Sequence, residues 1–131
     1  MIKVVIFDVG GVLIRTHDHQ PRRRWEAELG LHEWQSEELV FSGDIGTAAQ
    51  MGTLTDEQLW SEIGRRLELN QEQLARFRAA FWSGDVLDAD LIDFIRQLNA
   101  HYQTAIISNA TDALRRLLQE KHEIADAFDL I

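Results

Sequence analysis

The sequence contains no cysteine. Disulfides, thiolate metal sites and cysteine nucleophiles are therefore excluded, while the redox compartment stays open. Positive charge is scarce: 13 Lys and Arg face 22 Asp and Glu, a formal net charge of −9. That balance argues against general affinity for nucleic acid or anionic membranes, both of which reward clustered basic residues. A local phosphate site remains compatible with it, because a few oriented N–H groups act at close range. No apolar run is long. Val4-Val5-Ile6-Phe7 is followed at once by Asp8 and glycines, too short for a signal segment or a membrane span. A cytoplasmic protein is the expectation. Proline occurs once, at Pro21, and no repeat, low-complexity tract or linker is visible. What is present is globular: 45% hydrophobic and 27% charged residues in a 131-residue chain, room for one ordinary core but not two.

The layout is asymmetric. Residues 3–7 form an apolar run ending at Asp8-Val9-Gly10-Gly11, the pattern of a strand buried on both faces in a parallel sheet. A second such run, Thr104-Ala105-Ile106-Ile107, ends in Ser108-Asn109. Between them helical periods dominate. A helix is expected from about Arg22 to Leu29, after Pro21 and closed by Gly30. Another is expected over 32–41, then a glycine-marked loop or broken turn over 43–53. Thr55-Asp56-Glu57-Gln58 is a capping box before Leu59, Ile63 and Leu67, and Asn70 caps a helix bearing Leu74, Phe77 and Phe81. Asp88 caps a helix with Leu91, Ile92, Ile95 and Leu98. One further helix is expected from Thr111 to about Ala127, and Phe128–Ile131 reads as the first residues of a strand. A crossover between parallel strands needs one helix, so the additional helices imply a helical subdomain set over the sheet edge.

Ligands of such α/β folds bind outside the carboxyl ends of the strands, where Asp8 and Ser108 stand. Asp8 either ends a strand and starts a turn, or serves as nucleophile or hard-cation ligand. Gly10 and Gly11 let backbone approach a ligand and present N–H groups to an anion. Ser108-Asn109 is either a simple helix entry or a phosphate clamp made of a hydroxyl and helix N-terminal amides. Other candidates read as structural. His17-Asp18-His19 is a polar loop and Arg22-Arg23-Arg24 a solvated helix face. Trp25, Trp34, Trp60 and Trp82 read as the core of the insert. Among Asp85, Asp88, Asp90 and Asp93, the cap and first-turn roles of Asp88 and Asp90 explain more than a metal cluster does.

The run Ile6-Phe7-Asp8-Val9-Gly10-Gly11-Val12-Leu13, the helical insert and Ile106-Ile107-Ser108-Asn109 together resemble the haloacid dehalogenase-like (HAD) hydrolases, along the whole chain. The likeness is to phosphatase-like members with a helical cap after the first motif. The resemblance implies an α/β, Rossmann-like parallel sheet from residues 1–15 and 87–131, with an inserted α-helical cap over 16–86. It implies Mg²⁺-dependent hydrolysis of a small phosphomonoester, a small phosphorylated metabolite. Asp8 would be the nucleophile and a metal ligand, and Gly10 would lend its carbonyl to the metal. Gly11, Ser108 and the N–H of Asn109 would hold the phosphoryl group.

Two departures shape the expectation. Gly10 occupies the place where the family's phosphatases carry a second Asp as general acid and base, a group supplying about 10²–10⁴-fold in rate. The family's later lysine and acidic pair have no counterpart: the only lysine after Ser108 is Lys121, and Asp126 and Asp129 precede the next strand. The chain is therefore expected to be a truncated form with little turnover alone. Its first strand would be an open hydrophobic edge that favours self-association. Two alternatives remain: a carbon–halogen hydrolase in which Asp8 attacks carbon without metal, and a non-catalytic protein acting through association.

Overall fold

The computed structural model describes residues 1–131. The chain divides into two compact units. Residues 1–16, 86–109 and 113–131 form an α/β unit, and residues 17–85 with 110–112 form a helical unit. Each has its own apolar cluster, so two small cores replace the single one expected from length. The composition allowed this because the helical unit is rich in large aromatics, which bury much area per residue.

In the α/β unit, β1 (Val4–Phe7) is built from β-branched and aromatic residues. It pairs in parallel with β4 (Gln103–Ile106), with Val4 opposite Gln103 and Phe7 opposite Ile106. Leu130 forms a parallel bridge to Ala105 on the other flank of β4, so the final residues begin a third strand position. The second edge of β1 has no neighbour. Its Val4 and Ile6 face is open too, with Ile6 55% exposed, which corrects the expectation of a strand buried on both faces. The covered side carries the core: Val9, Leu13, Ile92, Ile95, Ile106, Leu118, Ile124, Ala127 and Phe128.

Helix α6 (Ala89–Asn99) begins where Asp88 accepts a hydrogen bond from the Leu91 N–H. Its Ile92 and Ile95 are buried, and each such side chain contributes about 1.5–3 kcal/mol. Thr104 is fully buried but satisfied: its hydroxyl donates to the Ala127 carbonyl at 2.6 Å and accepts from the Asn99 amide. Asp129 accepts from the Thr104 N–H and the Asn99 amide, tying down the final segment.

The helix expected over 111–127 is broken. A short α7 (Leu114–Arg116) runs into a π-helical turn (Leu117–Lys121), and a 3₁₀ turn covers Ala125–Ala127. Glu123 takes a left-handed φ of 52° between them, which lets Leu118, Ile124 and Ala127 all reach the core.

In the helical unit, α1 (Gln20–Leu29) starts with Pro21 and ends at Gly30 with φ 70°. The helix expected over 32–41 is α2 (Gln35–Glu37) continued as a π-helical turn to Ser42. The stretch 43–53, expected as a loop or broken turn, contains α3 (Asp44–Gln50). Gly46 misled the reading: it marks a close approach, since a Cβ there would lie 2.6 Å from the Val40 carbonyl oxygen. Helices α4 (Asp56–Arg66) and α5 (Gln71–Trp82) each begin with the expected capping box, Thr55 with Gln58 and Asn70 with Gln73. The core gathers Val40, Ile45, Ala49, Leu59, Trp60, Ile63, Phe77 and Phe81. Trp60 is buried and Trp25 and Trp82 pack against this cluster, but Trp34 is 49% exposed, at a left-handed φ of 73°.

The arginine run is not a solvated face. Arg22 is buried: its Nε donates to the Phe81 carbonyl, Nη2 pairs with Asp85 at 3.0 Å and the guanidinium lies over the Phe81 ring. Buried Glu26 accepts from the Ser36 N–H and hydroxyl and pairs with Arg23 at 3.0 Å. Two short strands absent from the sequence reading, β2 (Ile14–Thr16) and β3 (Asp85–Leu87), pair with each other. No helix is long and apolar enough to cross a membrane.

Candidate active site at the ends of the paired strands

The parallel ladder continues one residue past the strands, where the Ile107 N–H donates to the Phe7 carbonyl at 3.1 Å. Asp8 and Ser108 thus leave from the same end of neighbouring strands, which in a sheet run about 4.8 Å apart. A rigid ladder sets this juxtaposition, so both residues are placed by backbone rather than by their own contacts.

Asp8 is exposed, and its Oδ1 accepts from the Val9 N–H at 2.7 Å. That bond orients the carboxylate and leaves its second oxygen outside it. The chain then turns sharply. The Val9 carbonyl accepts from the N–H groups of Val12, Leu13 and Ile14, and Gly11 donates to the Ile14 carbonyl at 2.9 Å. Gly11 takes a φ of 76°, which a side chain would resist. Its N–H is committed to this turn, so the amide expected to face an anion at Gly11 is occupied. The N–H and C=O of Gly10 lie outside the pattern. The deeply buried Val9 and Leu13 anchor the turn in the core.

Ser108 is half-buried and Asn109 exposed, and neither side chain has a hydrogen-bond partner in the chain. The expected helix entry does not follow them: residues 107–113 are irregular and α7 starts at Leu114. Helix N-terminal amides therefore do not contribute to a clamp here; the hydroxyl and local backbone would have to do so.

The donors that would hold a hard cation, on the sequence expectation, are the Asp8 carboxylate and the Gly10 carbonyl. These fit Mg²⁺ as a partial shell, since that ion usually takes one or two carboxylates and completes its shell with water and phosphate oxygens. No group of three or more acidic or histidine side chains converges anywhere in the protein. Asp18 accepts from the Gln20 N–H at the entry to α1, and the His19 ring packs edge-on against Trp34. Asp85 pairs with Arg22, Asp93 and Asp126 with Arg96, and Asp88 caps α6. The Arg96 hydrogen bond lowers the Asp126 pKa. These carboxylates serve structure.

No family model matches the sequence, and no curated protein matches it. Solved structures do. A predicted HAD-like family hydrolase from Porphyromonas gingivalis superposes with a TM-score of 0.70 at 22% identity, over 99% of this chain and 65% of its own. A HAD family enzyme from Bacteroides thetaiotaomicron, in complex with magnesium and inorganic phosphate, gives 0.73 at 21%, over 99% and 67%. L-2-haloacid dehalogenase from Xanthobacter autotrophicus gives 0.58 at 25%, over 99% and 56%. This chain has the HAD-like fold. It spans between about half and two thirds of the length of these HAD-like neighbours. Of the residues singled out in the sequence, β1 and β4 bring Asp8 and Ser108 side by side, Gly10 and Asn109 lie in the loops that follow them, and the Gly11 N–H is committed to its own turn.

Sequence reasoning missed one polar constellation beside this loop. Thr111 and Asp112 hydrogen-bond to Asp56 at the start of α4. Asp56 had been absorbed by the capping-box pattern, and no short-range spacing links it to residues 55 positions away.

Proposed function

We propose that the chain carries the nucleophile and phosphoryl-binding half of a HAD-like hydrolase acting on small phosphomonoesters. The observation that carries the reading is the placement of Asp8 and Ser108 at adjacent carboxyl ends of the parallel pair β1 and β4. One carboxylate oxygen of Asp8 attacks phosphorus while the ester P–O bond breaks and the alcohol leaves with a proton from water. Water then attacks the phosphorus of the aspartyl-phosphate, releasing inorganic phosphate and restoring the carboxylate. The Val9 N–H holds Asp8 in orientation during both steps. Ser108 donates its hydroxyl to a non-bridging oxygen, and the Asn109 N–H does the same. Mg²⁺, held by Asp8 and the Gly10 carbonyl, would neutralise phosphate charge. The helical unit, residues 17–85, would act as the cap that excludes water from the intermediate.

The neighbour with magnesium and phosphate supports this reading, and the dehalogenase neighbour supports attack on carbon by the same carboxylate. Gly10 weighs against the phosphatase reading, since it supplies no proton to the leaving group, without ending it. The test is phosphate release from an aryl phosphate with and without Mg²⁺, beside halide release from a 2-haloacid without metal. Little turnover is expected of the chain alone, and what phosphate release there is should need both Mg²⁺ and Asp8 and vanish in Asp8→Asn. Metal-independent halide release would reassign Asp8 to carbon chemistry.

A second reading is favoured by the open edge and face of β1, where Ile2, Val4 and Ile6 are exposed. In it the chain associates with a second copy along β1. An edge strand is self-complementary, because each copy offers the same unpaired row of N–H and C=O groups.

A further inference from the structure

The sheet of the α/β unit has a covered face and an open one, and the register of β1 on β4 fixes which side chains share the open face. Side chains alternate along a strand. Phe7 and Ile106 stand opposite each other and pack into the core. Ile6 and Ala105, also opposite each other, therefore point to the other face. Leu130 is bridged to Ala105 from the far flank of β4 and continues that row. The three form a trough. Ile6 and Leu130 are its walls, 55% and 69% exposed, while Ala105 is only 7% exposed because its single methyl lies below two taller neighbours.

The ladder runs one step further, where the Ile107 N–H reaches the Phe7 carbonyl, and the same register sets Asp8 beside Ile107. Both keep the parity of Ile6 and Ala105, so the candidate nucleophile stands on the open face, and both are exposed. Ala105 is one strand across from Asp8 and two residues back. At about 4.8 Å and 3.3 Å per step, that is roughly 8 Å. The trough thus ends at the carboxylate, with the exposed Ile107 at its head. Pairing of a second copy along the β1 edge would extend the sheet and leave this face as open as before, so strand association does not account for it.

We infer that the trough over Ala105 receives the alcohol side of the substrate, so that the phosphomonoester attacked by Asp8 is that of an apolar alcohol. The inference rests on the proposed function for the role of Asp8 and names the substrate class within it. Attacking and leaving oxygens lie roughly in line through phosphorus. With phosphorus on the trough side of the carboxylate, the leaving oxygen and its carbon chain are directed across the open face, over Ala105. The Ile6, Ile107 and Leu130 side chains offer no hydrogen bond. A polyol placed there would lose water without replacement, whereas an alkyl or aryl group has none to lose.

The experiment titrates the full chain, at constant Mg²⁺, with inorganic phosphate, methylphosphonate and butylphosphonate, whose carbon–phosphorus bonds make binding readable without turnover. Expected is about tenfold tighter binding of butylphosphonate than of methylphosphonate, since the three added methylenes are each covered on one side only. The Ile6 and Ile107 methyl resonances should shift more with the longer probe. Ile107→Ser and Leu130→Ser should bring the affinity ratio most of the way to unity. Phe94→Ser should keep it, because Phe94 is as exposed as Ile6 but lies on α6, at the covered side of the sheet. Equal affinities for the two phosphonates would overturn the inference, and bound inorganic phosphate would then leave the proposed function standing. A ratio lost in Phe94→Ser, or a gain that tracks self-association in sedimentation, would also overturn it. If neither phosphate nor either phosphonate binds, the proposed function falls and the inference with it.

Discussion

Position 10 concentrates the chemical question. A proton donor there would suit a phosphatase, and the chain has glycine. The backbone leaves space for one: a Cβ built on Gly10 meets nothing within 4 Å, and its φ is not in the left-handed range. Gly11 differs, since its φ of 76° would strain any side chain. Gly10→Asp should therefore fold normally and raise hydrolysis of alkyl phosphates by about 10²-fold, the lower end of general-acid assistance. Aryl phosphates, whose leaving groups need little protonation, should change far less. The ratio of alkyl to aryl rates measures this, and an unchanged ratio would remove proton donation as what position 10 lacks. His122 offers a second residue-scale test. Burial, and then the neighbouring Lys121 charge, lower its pKa from 6.5. A lowered histidine pKa means the unfolded chain binds more protons, so this contribution is fully present above 6.5 and is lost as pH falls through the lower folded value. Melting temperature should decline over that window, and His122→Gln should flatten the decline.

At the scale of elements, legibility followed how local the cause was. Helices α4, α5 and α6 were readable because cap, periodic apolar face and terminator all lie within a dozen residues. The parallel pair β1 and β4 was readable from two apolar runs, and with it the juxtaposition of Asp8 and Ser108. What escaped was set by tertiary contact. Gly46 looked like loop punctuation yet sits inside α3 because Val40 passes too close for a side chain. The break after α7 depends on burying Leu118, Ile124 and Ala127 together, which no single helical stripe does. Arg22 looked solvated because three arginines in a row usually are, and its partners Phe81 and Asp85 lie some 60 residues away. Removing one partner of a buried ion pair costs about 3–5 kcal/mol. Arg22→Ala should lose that much in urea unfolding of the chain, whereas Arg24→Ala, on an exposed side chain, should lose little. Equal losses would mean that the Arg22 pairing adds nothing to the helical unit.

For the whole molecule, two opposing fields act on any second copy. The open face of β1 exposes Ile2, Val4 and Ile6 beside an unpaired strand edge, which draws strands together. The net charge of −9 pushes whole chains apart. Charge repulsion is long-ranged and screened by salt over about 10 Å at 0.1 M, whereas strand pairing and apolar contact act only at touching distance. Raising salt should therefore strengthen self-association, and so should lowering pH toward the pI of 4.9, where the repulsion vanishes. An interface made of surface ion pairs would behave in the opposite way, weakening with salt. Sedimentation velocity across a salt series reads the sign directly. Ile6→Lys separates the edge from the remaining surface: Ile6 is already 55% exposed, so the change leaves the core intact while placing a charge on the strand. The variant should stay monomeric at every salt concentration with an unchanged melting temperature. Salt-promoted association that persists in Ile6→Lys would move the contact off β1, and with it the case for association along that strand.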